Sequence, residues 1–511
     1  MSDEKDPSCV SRLEPGVEPG VWRYEHATRA TVIVDAADYF AHMQSAMLNA
    51  EKRILLIGWD FDTRIHLERG RHWWQRMWNR ENPRRLGSFI AWLARHRKGL
   101  DIRILKWSFG IFSMLRRVTM WYDLARWAKH PRITFKFDTA HPVGCSHHQK
   151  IVVIDNRVAV CGGIDMTDQR WDTREHLEED PRRITPQGSL YGPWHDATMM
   201  MEGDVAKALA ELGEDRWTCA GGGTLEAVDP CDNTPWPEDL KPQFENVEIG
   251  IARTRSAYRE WDKVDEIEQL YVEQIARAKS HIYAESQYFA SRAVSEAILA
   301  RVQEDDPPEI VVVHPANADG WLEQQAMDHA RAELVRCIEE ADHKGRFSIW
   351  NPYTGETPIY VHAKIMIVDD EILRIGSANL NNRSMGLDSE CDVFIDARRS
   401  ANAHVGDAIA ALRFSLLGEH CGVDEREVGH LIARYGSMAA MIDHAQEQGG
   451  RNLLRYHPPD LNEAEKNLAE SQLLDPEEPE DMFEPFAKGG LFRNGSRLGR
   501  IRSRIRRIRG Q

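Results

Sequence analysis

Apolar and polar positions recur along the chain in the same order twice. TVIVD (Thr31–Asp35), an amphipathic run over Tyr39–Ala50 and RILLIGWDFD (Arg53–Asp62) predict strand, helix and strand. A helical run over Asp265–Ala278 followed by HIYAESQYF (His281–Phe289) predicts the counterpart, and AEKRI (Ala50–Ile54) aligns with AKSHI (Ala278–Ile282). DIRILKW (Asp101–Trp107) and PEIVVVHP (Pro308–Pro315) each precede a further helical stretch. This pattern is an internal duplication of an αβ unit. The expected fold class is α/β, with two similar α/β sandwich repeats and a basic C-terminal tail. The expected boundaries are a polar tail over 1–30, a first repeat over 31–225, a linker over 226–245, a second repeat over 246–424, C-terminal helices over 425–470, and an acidic then arginine-rich tail over 471–511. The linker follows the glycine run Ala220–Gly223, where Gly, Pro and Asp accumulate.

Each half carries one stretch with the same internal spacing. His148–Gly163 reads HQKIVVIDNRVAVCGG and His362–Ser377 reads HAKIMIVDDEILRIGS. Both predict a strand, a tight turn at Asp155–Arg157 or Asp369–Glu371, and a returning strand. Residues two apart on a strand share a face, so His148 and Lys150 point one way, as do His362 and Lys364. An imidazole beside an ammonium suits a phosphate: the lysine neutralises its oxygens, and the histidine attacks phosphorus or protonates a leaving oxygen. A lone HxK is a weak signal. Two copies in the same apolar context are a strong one.

Paired HxKxxxxD motifs followed by GG or GS resemble the phospholipase D superfamily. The likeness extends through GGIDMTDQRWD (Gly162–Asp172), PWHD (Pro193–Asp196), DRW (Asp215–Trp217), HIYAESQYF and GSANLNNRSMGLDSE (Gly376–Glu390). It spans Thr31 to Gly422 and looks closest to the phosphatidylcholine-type phospholipases D. The resemblance implies that the two repeats face each other across one active site. It implies hydrolysis of phosphatidylcholine-like glycerophospholipids to phosphatidate and head-group alcohol through a covalent phosphohistidine, with transphosphatidylation as a further outcome. His148 is then the nucleophile, and His362 protonates the leaving alcohol and later activates water or another alcohol. Lys150 and Lys364 bind the non-bridging oxygens. Asn379 resembles the family's phosphate-contacting Asn, with Asp165 at the matching position of the first repeat. Gly163 and Ser377 are small enough to admit substrate. The resemblance nominates Asp196 as the acceptor for His148 and Glu390 as that for His362. Asp155 and Asp369 complete the motif and are counted with the catalytic residues, in the role of conformational support at the turns rather than proton transfer. His147 is out of phase with His148, and His195 has no assigned role. The alternatives are a cardiolipin synthase-type phosphatidyl transferase, a nucleic-acid phosphodiesterase and a membrane-binding scaffold.

Composition narrows the partners. The 511 residues are 42% hydrophobic, enough for two cores, and the net charge of −16 argues against general nucleic-acid binding. The start MSDEKDPSC lacks the pattern of a signal peptide, and no apolar run reaches membrane-spanning length. Eight scattered cysteines without a CxxC pair read as reduced thiols, so the expected location is cytoplasmic, peripheral on the inner face of the membrane. The lysines supply the positive charge a cation would, so no metal or cofactor is expected. Residues 64–133 hold 17 Lys or Arg against 4 Asp or Glu, with seven tryptophans, which fits solvated helix faces, a rim on an anionic membrane or a nucleic-acid surface alike. Residues 475–486 are acidic and proline-rich, and read as disordered. In the last 21 residues, Leu498, Ile501, Ile505 and Ile508 form an apolar stripe among eight arginines, which reads as a membrane-surface helix, with a disordered arm that pairs with the acidic segment, or a nucleic-acid arm, as the alternatives. The expected partners are a phospholipid membrane surface and a phospholipid substrate, with the chain a monomer.

Overall fold

The computed structural model describes residues 13–69, 82–107, 118–316, 322–447, 450–460, 475 and 497–508. Pairing begins with two long central strands, Arg23–Val34 and Phe244–Arg255, which run antiparallel to each other. From the first, the order outward is Ala197–Gly203, Val158–Gly162, Ile151–Ile154, Arg53–Gly58, Asp101–Trp107 and Ile133–Asp138. From the second it is Glu390–Asp396, Ile372–Gly376, Ile365–Val368, His281–Glu285, Glu309–Val313 and Phe347–Thr354. Each strand thus has a counterpart, and parallel and antiparallel pairings recur at the same places. The duplication seen in the pattern of apolar runs is a structural repeat.

Strand alternation explains why these runs are almost continuously apolar. Leu55, Ile57, Ile151 and Val153 share a core with Ile365, Ile367, Ile375 and Val393 of the other repeat. Their neighbours Ile54, Leu56, Val152 and Ile154 face away, into a second core with helices Ala36–Asn49 and Leu86–His96. Ile282, Ala284, Met366 and Val368 do the same in the second repeat, against helices Glu266–Arg277 and Arg292–Val302. The central core is shared, so the repeats form one body.

Several expectations are corrected. The first strand starts at Arg23, inside the segment assigned to a polar tail, and Trp22 before it is fully buried. The second repeat begins with Phe244, inside the expected linker. Two helices follow Gly422, Glu425–Tyr435 and Met438–Gln446, but the segment after them returns as strand Arg451–Arg455 on the edge strand Phe347–Thr354. In the tail, Asp475 is an ordered contact: its carboxylate accepts the backbone N–H groups of Asn382 and Arg383 at 3.1 and 2.9 Å. The helix Arg497–Ile508 forms as expected, yet Leu498 is buried and Ile501 half-buried against the second repeat's outer core. That part of its apolar stripe already has a partner within the chain. In the basic stretch, Trp127 is core and Trp121 is exposed, while Trp73, Trp74 and Trp78 lie outside the described residues. Among the described residues no helix is long and apolar enough to cross a membrane.

Candidate active site

Lys150 and Lys364 each immediately precede a strand, Ile151–Ile154 and Ile365–Val368, so both HxK segments emerge at a strand start. Backbone hydrogen bonds then carry each segment across to the other repeat. The N–H of His148 donates to Ser389 O at 2.9 Å, and that of His362 to His195 O at 2.7 Å. Side chains follow the same crossing. His148 Nδ1 lies 2.9 and 3.0 Å from the two carboxylate oxygens of Glu390. His362 Nδ1 lies 2.7 Å from Asp196 Oδ2. The expected pairing is therefore reversed: Glu390 serves His148 and Asp196 serves His362. Asp196 and Glu390 stand at equivalent places, at the start of strands Ala197–Gly203 and Glu390–Asp396. Each repeat supplies one histidine and the carboxylate for the other's histidine.

Each Nδ1–H is thereby held, which leaves Nε2 of both rings as a lone pair. Burial, together with the Lys150 and Lys364 ammoniums, holds His148 well below the usual imidazole value. Burial, Lys364 and Arg170 do the same to His362. Glu390 is pushed up to about 8 by burial, although Ser377 Oγ and Ser384 Oγ donate to it at 2.5 and 2.7 Å. Burial draws Lys364 down to about 7. The site is built so that a bound anion relieves it: two cations and two neutral bases share a dry space.

The remaining expected residues divide into two groups. Lys150 Nζ donates to His148 O at 3.0 Å and lies 3.5 Å from Asp165 Oδ2, while Lys364 Nζ donates to His362 O. Asp165 also accepts from Trp59 N at 3.2 Å, so it works as a counter-ion and anchor. Asn379 is buried and its Oδ1 has no hydrogen-bond partner. A Cβ on Gly163 would stand 2.1 Å from Asp196 Oδ1, so only glycine lets this carboxylate reach His362. Asp155 and Asp369 are not in the site. Asp155 lies at the far end of its strand and accepts the N–H groups of Glu51, Lys52 and Arg53 at 2.7–2.8 Å. Asp369 does the same for Lys279, Ser280 and His281 at 2.7–2.9 Å. Both have positive φ, 55° and 54°, as do the residues after them, the geometry of a type I′ hairpin turn. Their inclusion among catalytic residues is corrected to a turn role. His147 is fully buried beside Asp138, 3.2 Å away, and burial draws it down to about 3.

Sequence reasoning missed the groups that line the site from elsewhere. Trp59 meets His148 edge-on at 6.1 Å and stacks on Trp107 at 5.8 Å. Trp194 stacks on Tyr360 at 4.4 Å and lies 5.3 Å from His362. Gln287 lies 3.5 Å from Lys364 Nζ and donates to Tyr360 Oη at 2.9 Å. The one available signal was position: Trp59 and Gln287 follow equivalent strands, as the aligned runs ILLIGW and IYAESQ show.

His195, which had no assigned role, is the centre of a buried network behind the site. Its Nδ1 is 2.8 Å from Glu419 and its Nε2 is 2.7 Å from Glu285. His176 bridges Asp172 and Glu419 at 2.9 and 3.0 Å. Asp35, His176, His195 and Glu419 present donor atoms within 4.8 Å of one another, so they could hold a divalent cation, with Asp172 and Glu285 fixing the imidazoles from behind.

A model of the phospholipase D family matches residues 124–311 and 350–470, more than half of the chain. The chain belongs to the phospholipase D family. A model described as a cardiolipin synthase, PLD-like domain also matches residues 271–409. Phospholipase D1 of Saccharomyces cerevisiae is 26% identical over 498 residues, covering 77% of this chain and 29% of that protein. Phospholipase D alpha 1 of Zea mays is 25% identical, covering 61% and 54%. A probable cardiolipin synthase of Bacillus subtilis is 24% identical, covering 62% and 57%. The chain thus spans from under a third to little more than half of the length of these relatives. A crystal structure of phosphatidylserine synthase from Haemophilus influenzae superposes with a TM-score of 0.49 at 11% identity, over 74% of this chain and 84% of that one.

Proposed function

We propose that this member of the phospholipase D family is a phosphodiesterase that cleaves glycerophospholipids to phosphatidate and head-group alcohol. The observation that carries the reading is the crossed pair of neutral histidines, each fixed by a carboxylate of the other repeat. Displacement at phosphorus needs a nucleophile on one side and an acid on the other, and two such rings supply both. His148 Nε2 attacks phosphorus and forms the N–P bond of a phosphohistidine. The bond to the head-group oxygen breaks, and His362, carrying a proton, gives it to that oxygen. His362 then takes a proton from water, whose oxygen displaces His148 and yields phosphatidate. An alcohol in place of water gives transphosphatidylation, the reaction a cardiolipin synthase would use. Lys150, Lys364 and Asn379 steady the equatorial oxygens, and the charge of the bound phosphodiester raises His362 toward its protonated form. The Arg497–Ile508 helix, with its arginines, is proposed to rest near an anionic lipid surface while Leu498 holds it to the body.

The test incubates wild type and His148→Ala with mixed phosphatidylcholine, phosphatidylserine and phosphatidylglycerol liposomes in dilute ethanol, followed by mass spectrometry of the lipids. Phosphatidate and phosphatidylethanol from wild type alone support the reading. Cardiolipin as the main product moves it to the transferase, and no lipid product from folded protein overturns it.

A further inference from the structure

We infer that Asp35, His176, His195 and Glu419 hold one structural divalent cation, zinc by the chemistry of its donors, which ties the two repeats together behind the active site. The cation braces the scaffold and takes no part in the displacement at phosphorus.

Four side chains converge, all at most 5% exposed. His195 Nδ1 lies 2.8 Å from Glu419 Oε1 and 3.5 Å from Asp35 Oδ1. His176 Nε2 lies 3.0 Å from Glu419 Oε1 and 3.4 Å from Asp35 Oδ2. Tetrahedral zinc with bonds of about 2.0–2.1 Å sets neighbouring donors about 3.3 Å apart. The observed spacings bracket that value. Each ring turns its other nitrogen to a carboxylate: the Nε2–H of His195 donates to Glu285 Oε2 at 2.7 Å, and the Nδ1–H of His176 to Asp172 Oδ2 at 2.9 Å. Those bonds favour the tautomers whose inward nitrogen carries a lone pair, the carboxylate–histidine–metal arrangement. Glu419 is oriented too, because its other oxygen accepts from Arg174 Nε at 2.5 Å.

Asp35 separates a cation site from a set of hydrogen bonds. Its Oδ1 accepts the N–H of Asp196 at 3.2 Å, but its Oδ2 is buried with no hydrogen-bond partner. A buried carboxylate oxygen without a donor is costly, and a cation among the four groups supplies what it lacks. The adjoining trio of His195, Glu285 and His420 has no such orphan carboxylate oxygen: Glu285 accepts from Tyr283 Oη at 2.6 Å, from His420 Nε2 at 3.1 Å and from His195. Charge is matched as well. One divalent cation with two neutral imidazoles carries the same charge as two imidazoliums, so the ion leaves no carboxylate unbalanced. Two imidazoles with two carboxylates suit zinc, and four buried protein donors make a closed site rather than one open to water. Asp35, His176 and His195 belong to the first repeat and Glu419 to the helix Gly406–Cys421 of the second. His195 O also accepts the N–H of His362 at 2.7 Å, so the ion stiffens the edge on which His362 stands.

The experiment takes the full chain, purified without a polyhistidine tag and dialysed against chelator, and counts bound zinc by elemental mass spectrometry. About one zinc per chain is expected. The protein is then unfolded in chelator and refolded with cobalt(II), which should give the visible bands of tetrahedral cobalt without a thiolate charge-transfer band. Asp172→Asn, which loosens one imidazole without removing a donor, should weaken cobalt binding by about 10–100-fold in competition with a chromogenic chelator. Wild type that folds without stoichiometric zinc, and whose Tm neither zinc nor chelator moves, overturns the inference and leaves a network held by protons alone. A thiolate band, or Asp172→Asn binding as tightly as wild type, overturns it by placing the metal elsewhere. Should Asp172→Asn fail to fold, X-ray absorption at the zinc edge of wild type decides: two imidazoles and two oxygens support the site, and sulfur overturns it. None of these readouts uses lipid, so they stand or fall apart from the phospholipase reading.

Discussion

Two histidines that look interchangeable in the motif are made distinct by what holds them. Glu390 takes His148 in a bifurcated contact and is itself held by two serines, whereas Asp196 takes His362 through one oxygen. In the proposed assignment only the first step with a poor leaving group needs the acid. A diester of p-nitrophenol leaves without a proton, so Asp196→Asn should still give a burst of nitrophenol, and Glu390→Gln should give none. Steady-state turnover on lipid should fall by roughly 10³-fold in both, measured by stopped flow and by lipid product release. The pH profile follows from the same surroundings. His148 is held below 6.5, so the acid limb of kcat/KM should lie below that value. Lys364 at about 7 loses its proton as pH rises, so the alkaline limb should begin near neutrality, and it should vanish in Lys364→Arg. Much of this residue scale was legible. The two HxK pairs, Asn379 and both carboxylates could be named from the motifs. The partnering of the carboxylates could not, because 48 residues separate His148 from Asp196 and 28 separate His362 from Glu390, and neither spacing says which strand faces which.

At the scale of the element, the hairpin after each HxK is where the sequence was read most directly. The apolar alternation gave both strands, and the Asp-Asn and Asp-Asp pairs gave the turns. What the pattern did not reveal is that the turn carboxylates reach beyond the hairpin. Asp155 and Asp369 each gather three N–H groups from the chain entering a neighbouring strand, Arg53–Gly58 or His281–Glu285. A carboxylate with three charge-assisted hydrogen bonds fixes strand order, not chemistry. Asp155→Ala and Asp369→Ala should each cost about 2–4 kcal/mol in denaturant unfolding, with kcat of the folded fraction within a few-fold of wild type. Loss of kcat by orders of magnitude in a folded variant would return these residues to the catalytic list. The Arg497–Ile508 stripe misled in the opposite way, because amphipathic spacing specifies that a face is covered, not by what.

For the whole molecule, the network around His195 closes the seam between the repeats. Glu419 comes from the helix Gly406–Cys421, Glu285 from the second repeat's central sheet, and Asp35, His176 and His195 from the first repeat. None of these stood out in the sequence, since each sits alone in its own segment and only the fold assembles them. Removing one member leaves buried charges unmatched, so His195→Ala should cost on the order of 3–5 kcal/mol and should still unfold in one transition, because the central core is shared. Two separate transitions in wild type would show that the repeats are independent after all.

The crossed wiring of the site also has a genetic reading. Changes at His148 and Glu390 strike the same relay, although 242 residues separate them. Changes at His362 and Asp196 strike the other. Defects should therefore be epistatic across the halves and compounding within them: Glu390→Gln, from the other half, adds little to His148→Ala, while Glu390→Gln multiplies the loss in His362→Ala, a change in its own half. Two half-molecules, each with its own intact motif, would each lack a complete relay until they met.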